Sequence, residues 1–129
     1  MSTNPADTMP FSKLMGVTIT DASDEIVTGN LTIRDDLCTT GRIMHGGAIM
    51  AFADALAAVG AFLTLPEGAS GTTTIESKTN FLGAAMQGST VIGSAEPVKV
   101  GSRLSVWQTE IRTEDGKLVA LVTQTQLVV

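Results

Sequence analysis

Residues 45–63 read HGGAIMAFADALAAVGAFL, and every residue from Gly46 to Leu63 is apolar or glycine except Asp54. The run is rich in alanine, the strongest helix former, and residues 64–68 (TLPEG) supply a stop signal, so the stretch predicts one helix. A helix that is apolar on every side belongs inside a core or a membrane. Because an unpaired carboxylate is costly to bury, Asp54 is a candidate functional residue.

A membrane-spanning interpretation of this run is disfavoured by its charges. About 20 apolar residues span a bilayer, and the run has nearly that length. However, Asp54 lies at its centre, and no cluster of Lys or Arg borders it. We therefore predict a buried central helix and no membrane partner.

Composition limits the function classes further. The chain has 129 residues, enough for one domain, and 43% of them are hydrophobic. A formal charge of -5 and a pI near 4.6 argue against nucleic acid as a main partner. The single cysteine, Cys38, cannot form an internal disulfide, and no secretory signal pattern is seen, so we expect a cytoplasmic protein. One histidine and one cysteine make a zinc site improbable, and we predict no metal.

The remaining segments predict an α+β fold. Residues 1–9 are polar and predict a flexible N-terminus, whereas residues 10–129 predict a single domain. A helical turn is expected over residues 10–16, strands over 17–20 and 25–33, a loop over 34–44, and, after the helix, strands over 72–82, 89–100, 103–113 and 117–128. Pro97 should lie at an edge or a bulge, and Trp107 in the core. This order predicts a long antiparallel sheet wrapped around one central apolar helix, with a second copy covering the helix faces that the sheet leaves open.

Four short segments carry a resemblance to a known family. They are HGG at 45–47 with Asp54 nine residues after the histidine, TIESKTNFL at 74–82, VGSRL at 100–104 and EDGKLVA at 114–120. With the order of elements, they resemble the hotdog-fold acyl-CoA thioesterases, in particular the phenylacetate-pathway type and the 4-hydroxybenzoyl-CoA thioesterase relatives. The resemblance covers residues 10–129. It implies the hotdog fold and hydrolysis of an acyl-CoA thioester to free acid and coenzyme A. No cofactor is implied, since coenzyme A is part of the substrate.

The resemblance also implies roles for residues of the central helix. The family's helix acid acts as general base or nucleophile, which falls on Asp54; a protonated or hydrogen-bonded structural aspartate is the alternative. The family's oxyanion donor falls on Gly46, where the alternative is a tight loop-to-helix entry that needs glycine. Gly47 would also let a ligand approach the first free N–H groups. His45 contacts the thioester or holds the loop together.

Four further residues are candidates for the site. Thr74 falls where family members carry Ser or Thr near the attacking water, although strand threonines are common for packing reasons. Met50 and Phe81 are expected to shape the substrate pocket. Arg103 is a candidate contact for a coenzyme A phosphate, or an ordinary exposed strand arginine.

The sequence departs from the family pattern in two places. Six residues before the histidine, Thr39 replaces the usual Asn or Gln, so either Thr39 or Thr40 substitutes through its hydroxyl or that contact is absent. Residues 83–85 (GAA) replace a basic residue and a proline, so one phosphate contact is in doubt. The change at Thr39 keeps an alternative function open, a non-catalytic acyl-CoA-binding or sensing module on the same fold.

Helix geometry predicts how the site is assembled. Asp54 lies eight residues beyond Gly46, so the two are about 12 Å apart along one helix. A base and an oxyanion donor that act on one carbonyl must both lie within about 3–4 Å of the reacting atoms. An antiparallel helix across a two-fold axis could bring its Asp54 to the first chain's Gly46. We therefore expect a homodimer with composite active sites, which the resemblance also implies, and such dimers could pair into a homotetramer.

Overall fold

The computed structural model describes residues 4–129, and its elements lie close to those expected from the sequence. Two short 3-10 helices, Pro5–Thr8 and Asp35–Leu37, flank the first elements. The others are α1 (Pro10–Met15), β1 (Thr18–Ala22), β2 (Val27–Thr32), α2 (Gly46–Leu63), β3 (Thr72–Phe81), β4 (Thr90–Val100), β5 (Leu104–Thr113) and β6 (Leu118–Val128). Helix α2 has the predicted bounds, and each strand begins and ends within about two residues of its predicted position.

The six strands form one antiparallel sheet in the order β1-β2-β4-β5-β6-β3. This confirms the predicted long antiparallel sheet. Strands β1 and β3 are its edges. The register of β4 against β5 shifts between Pro97 and Lys99, and the pairing of β4 with β2 ends at Ala95. Pro97 therefore lies at a bulge beyond the β2 pairing, as its missing N–H requires.

Helix α2 packs across the sheet and supplies much of the core. Its buried residues are Ile49, Phe52, Ala53, Ala55, Leu56, Ala57, Gly60 and Ala61. Trp107 of β5 is 0% exposed, as predicted for a core residue, and its indole donates a hydrogen bond to Ser105 Oγ at 2.9 Å. A Cβ at Gly60 would lie 2.5 Å from the Trp107 ring, so the close approach of helix to sheet depends on that glycine.

One part of α2 remains uncovered in the single chain. Phe62 and Leu63 near its C-terminal end are exposed. By length and composition alone the helix could cross a membrane, with a mean hydropathy of 1.8 over residues 46–63. Here it packs against strands of the sheet, as the core helix of a domain does.

The packed part of the chain begins before the predicted boundary at Pro10. Residues 5–8 form a 3-10 helix in which Ala6 is fully buried. Asn4 joins this helix to the start of β1: its Nδ2 donates to the Val17 carbonyl at 2.9 Å, and its Oδ1 accepts from the Ile19 N–H at 3.0 Å. Residues 4–9 therefore pack against the domain in this structure, whereas the flexibility predicted for residues 1–9 stays a prediction; residues 1–3 lie outside the described residues.

Candidate active site

The Asp54 carboxylate is oriented by two hydrogen bonds to one oxygen. Oδ1 accepts from Thr74 Oγ1 of β3 and from Gln124 Nε2 of β6, each at 2.8 Å. No residue in the described range 4–129 donates to Oδ2. Asp54 is partly buried. The arrangement is that of a carboxylate held by one oxygen with the other available to a ligand.

A second layer of side chains supports these contacts. Gln126 Nε2 donates to Thr74 Oγ1 at 2.7 Å, and Gln124 Nε2 also lies 3.5 Å from Ser77 Oγ. Gln124 and Gln126 are 0% and 1% exposed. Both residues lie outside the set of site residues predicted from the sequence. A sequence signal for this polar pair was present. Two glutamines at alternate positions of a Val- and Leu-rich strand must face the same side of the sheet.

The N-terminus of α2 is capped by His45. The imidazole Nδ1 accepts a hydrogen bond from the Gly47 N–H at 2.8 Å, and the His45 carbonyl accepts from the N–H groups of Ala48 and Ile49. His45 therefore performs the structural role left open by the sequence, because it satisfies N–H groups that a helix start leaves free. The imidazole ring is otherwise exposed, so a contact with the thioester stays a prediction.

The Gly46 N–H is the free donor at this helix start. It forms no hydrogen bond to any residue among 4–129, whereas the next three N–H groups all have partners. The ring of Phe81 packs against Gly46: a Cβ at this position would lie 3.1 Å from Phe81 Cε1. An unpartnered N–H at the positive end of a helix dipole suits an oxyanion.

The sequence candidates fall into two groups within one chain. Asp54 and Thr74 are in direct contact, and His45, Gly46, Gly47 and Phe81 meet at the N-terminus of α2. Among residues 4–129, the side chains of the other candidates, Met50, Thr39 and Arg103, form no hydrogen bond to either group.

These three residues differ in their surroundings. Met50 is half-buried on α2 between the two groups. Thr39 is exposed in the preceding loop, where its N–H donates to the Ile43 carbonyl at 2.8 Å. Arg103 is exposed at the β4–β5 turn, and its carbonyl accepts from the Val128 N–H. Arg103 therefore lies beside the Val128 end of β6, whereas Phe81 of β3 pairs with Ala120 near the other end of that strand. Arg103 and Phe81 lie toward opposite ends of the sheet.

Two cavities flank α2. One of about 320 Å³ lies beside the helix start and is lined by residues that include Phe11, Leu14, Leu37, His45 and Gly47. The other, of about 640 Å³, is mostly apolar and runs along the C-terminal half of α2; its lining includes Met9, Ala58, Val59, Phe62 and Thr72. Ala58 lies one turn beyond Asp54 on the same helix.

No three His, Cys, Asp or Glu side chains within residues 4–129 are grouped so that they could hold a metal ion. The expected absence of a metal or other cofactor stays a prediction.

A family model described as the thioesterase superfamily matches residues 41–120, which include α2 with its histidine cap, Asp54, Thr74 and part of β6. The chain belongs to the thioesterase superfamily. It is a thioester hydrolase with the hotdog fold, and the resemblance seen in the sequence is confirmed.

Individual relatives agree with this assignment. The 1,4-dihydroxy-2-naphthoyl-CoA thioesterase 2 of Arabidopsis thaliana is 27% identical over 121 residues, covering 89% of this chain and 76% of that protein. The PaaI protein of the Escherichia coli phenylacetic acid degradation operon superposes with a TM-score of 0.86 at 18% identity, covering 95% of this chain and 86% of PaaI. A hypothetical thioesterase of Streptococcus pneumoniae, crystallised with coenzyme A, superposes with a TM-score of 0.80 at 21% identity. The match covers 88% of this chain and 86% of that protein.

Proposed function

We propose that this thioester hydrolase acts on an acyl-CoA, releasing the free acid and coenzyme A, with Asp54 as general base or nucleophile. The observation that carries the proposal is the state of the Asp54 carboxylate. Thr74 and Gln124 hold its Oδ1, and none of residues 4–129 donates to its Oδ2. Such a group can approach a substrate without first breaking a hydrogen bond within the domain.

Two reaction courses are compatible with this carboxylate. As a general base, Oδ2 of Asp54 takes a proton from water while the water oxygen attacks the thioester carbon; the C–S bond then breaks and the leaving thiolate receives that proton. As a nucleophile, Oδ2 attacks the carbon and expels the thiolate, and water then hydrolyses the resulting anhydride. Both courses place negative charge on the carbonyl oxygen of the tetrahedral intermediate.

The Gly46 N–H is the proposed donor to that oxygen. It is free within the described chain and lies at the positive end of α2. Its position is fixed from two sides, because His45 caps the next N–H and the Phe81 ring packs against the Gly46 backbone. A pre-positioned donor stabilises the intermediate without reorganising during the reaction.

We further propose that each active site is shared by two chains. In one chain Asp54 lies two turns along α2 from Gly46, about 12 Å along the axis, so both cannot reach one carbonyl. Strand β3 supports a second copy as the partner: none of its ten residues is buried, and Ile75 and Phe81 are exposed on it. An exposed edge strand is a surface for pairing with another chain. Association of such dimers into a tetramer stays a prediction.

The experiment that tests the proposal is thiol release from a panel of acyl-CoA substrates. The panel includes aliphatic and aromatic acyl groups, the latter because the Arabidopsis relative is named for a naphthoyl-CoA. We expect turnover by the wild type that disappears in Asp54→Ala. If no acyl-CoA releases thiol above that control, while thioesters of another carrier do, coenzyme A is the wrong carrier. Calorimetry on the same panel covers the non-catalytic alternative, which predicts tight acyl-CoA binding without turnover.

A further inference from the structure

Two glutamines of β6 lie behind Asp54 and take no part in either reaction course proposed for its carboxylate. Gln124 and Gln126 are 0% and 1% exposed. Burying an amide costs free energy unless its groups are hydrogen-bonded. An apolar side chain of similar size would fill the same space without that cost, so packing alone does not account for two amides at this place.

The hydrogen bonds of Gln126 form a directed chain that ends on Asp54. Gln126 Nε2 donates to Thr74 Oγ1 at 2.7 Å, and the Thr74 hydroxyl donates to Asp54 Oδ1 at 2.8 Å. A hydroxyl has one proton to donate. Because Gln126 presents an N–H to Oγ1, it does not compete with Asp54 for that proton. Gln126 therefore sets the direction of the chain.

Gln124 reaches the carboxylate directly. Its Nε2 donates to the same Oδ1 at 2.8 Å. Its Oε1 is buried and has no partner among residues 4–129, an arrangement that costs stability. The amide therefore directs its N–H at Asp54 although its carbonyl oxygen stays unsatisfied there.

We propose that Gln124 and Gln126 are positioning residues for the hydrolysis. Together with Thr74 they occupy Oδ1 of Asp54, so Oδ2 is the oxygen that meets the water or the thioester carbon. This inference rests on the proposed function, since it requires Asp54 to act on the substrate. Neither glutamine touches the substrate, and their effect on the reaction passes through the orientation of the carboxylate. Removal of either amide should therefore lower kcat rather than raise KM.

A double-mutant cycle between Gln126 and Thr74 tests the chain. Gln126→Met keeps the length of the side chain and removes its donor, and Thr74→Val keeps the shape of threonine and removes the hydroxyl. In the wild-type background Gln126→Met should lower kcat about tenfold, as expected for a hydrogen bond that supports a charged group. In the Thr74→Val background it should leave kcat unchanged, because its route to Asp54 is already broken. Thr74→Ser, which keeps the hydroxyl, should retain most of the activity.

Gln124→Met tests the direct contact with Asp54, and Gln87→Met is its matched control. Gln124 contacts Asp54 without an intermediary, so Gln124→Met should lower kcat about tenfold in the wild type and should still lower it in the Thr74→Val background, where Gln126→Met has no effect. Gln87 is exposed between β3 and β4, and its substitution should leave kcat unchanged. Gln126→Leu replaces Gln126→Met in the cycle if the latter does not fold, with circular dichroism as the check.

The outcomes separate this inference from the function on which it rests. Equal losses of kcat for Gln126→Met in both backgrounds, or a rise in KM alone, would overturn the chain through Thr74. Wild-type kcat in both glutamine variants, together with an inactive Asp54→Asn, would overturn the positioning roles and leave the proposed function standing. Full activity of Asp54→Asn would instead overturn the proposed role of Asp54 in the hydrolysis, on which the positioning roles rest.

Discussion

The hydroxyl of Thr74 on β3 and the carboxylate of Asp54 on α2 are joined by a hydrogen bond of 2.8 Å. The bond connects the central helix to an edge strand that contributes no buried residue to the core. It therefore ties the candidate catalytic group to the part of the sheet where a second chain is proposed to bind.

Asp54→Asn removes the negative charge of the side chain and keeps its shape. The asparagine oxygen can still accept from Thr74 and Gln124, so we expect the fold to survive. Loss of the negative charge should lower kcat by about 10²- to 10⁴-fold, the range for removal of a general base. Thiol-release kinetics and a thermal melt of the same preparation measure both effects. A variant that unfolds, or that stays fully active, contradicts the assignment of Asp54 as base or nucleophile.

Mixed dimers test the shared site. Asp54→Ala removes the carboxylate, and Gly46→Val obstructs the donor, since even a Cβ there lies 3.1 Å from the Phe81 ring. Each homodimer should be inactive. In a heterodimer both defects fall in one site and the other is intact, so random pairing should restore up to about a quarter of wild-type activity. Differently tagged chains show whether heterodimers formed. Heterodimers without activity would disprove a composite site.

His45→Asn and His45→Ala separate the capping role of His45 from a role in catalysis. Asparagine is a favoured N-cap residue, whereas alanine leaves the Gly47 N–H without a partner. We expect His45→Ala to lose about 1 kcal/mol of stability, and His45→Asn to keep most of the stability and most of kcat. A stable but inactive His45→Asn would instead show that the imidazole contacts the thioester. Chemical denaturation and thiol-release assays give the two measurements.

Gly60→Ala should destabilise the protein although it improves helix propensity. In an exposed helix the change would gain up to about 1 kcal/mol. At this position the new Cβ would lie 2.5 Å from the buried Trp107 ring, and overpacking of that kind costs about 1–3 kcal/mol. Trp107→Phe removes the ring atoms that collide, so Gly60→Ala should cost less in that background. Circular dichroism during unfolding measures the loss of stability in each background. Equal losses of stability in the wild-type and Trp107→Phe backgrounds would contradict this account.

The elements of the fold could be predicted because their signals are local. The apolar run of α2 ends at TLPEG, and the strands are rich in Val, Ile and Thr, so their bounds follow from the sequence to within about two residues. The order of the strands does not follow from local patterns. Here β3 leaves the helix and pairs with β6, the last strand of the sheet.

The candidate site could be predicted only in part. Asp54 is conspicuous because it is the single charge in an apolar helix, but Gln124 and Gln126 are ordinary in a strand until the neighbours of their amides are known. The packing of the N-terminal segment could not be predicted for a similar reason. Ala6 is buried, and Asn4 forms hydrogen bonds with Val17 and Ile19; these contacts depend on the tertiary structure rather than on the polar composition of residues 1–9.

The burial of Trp107 gives the protein an optical reporter of its own. The chain contains one tryptophan and no tyrosine, so its near-ultraviolet emission comes essentially from a single indole. That indole is 0% exposed and lies against Gly60, in the C-terminal part of the central helix. Separation of the helix from the sheet would expose the indole ring to water and shift its emission to longer wavelength. The same spectrum can therefore follow unfolding of every variant that keeps Trp107, without a label.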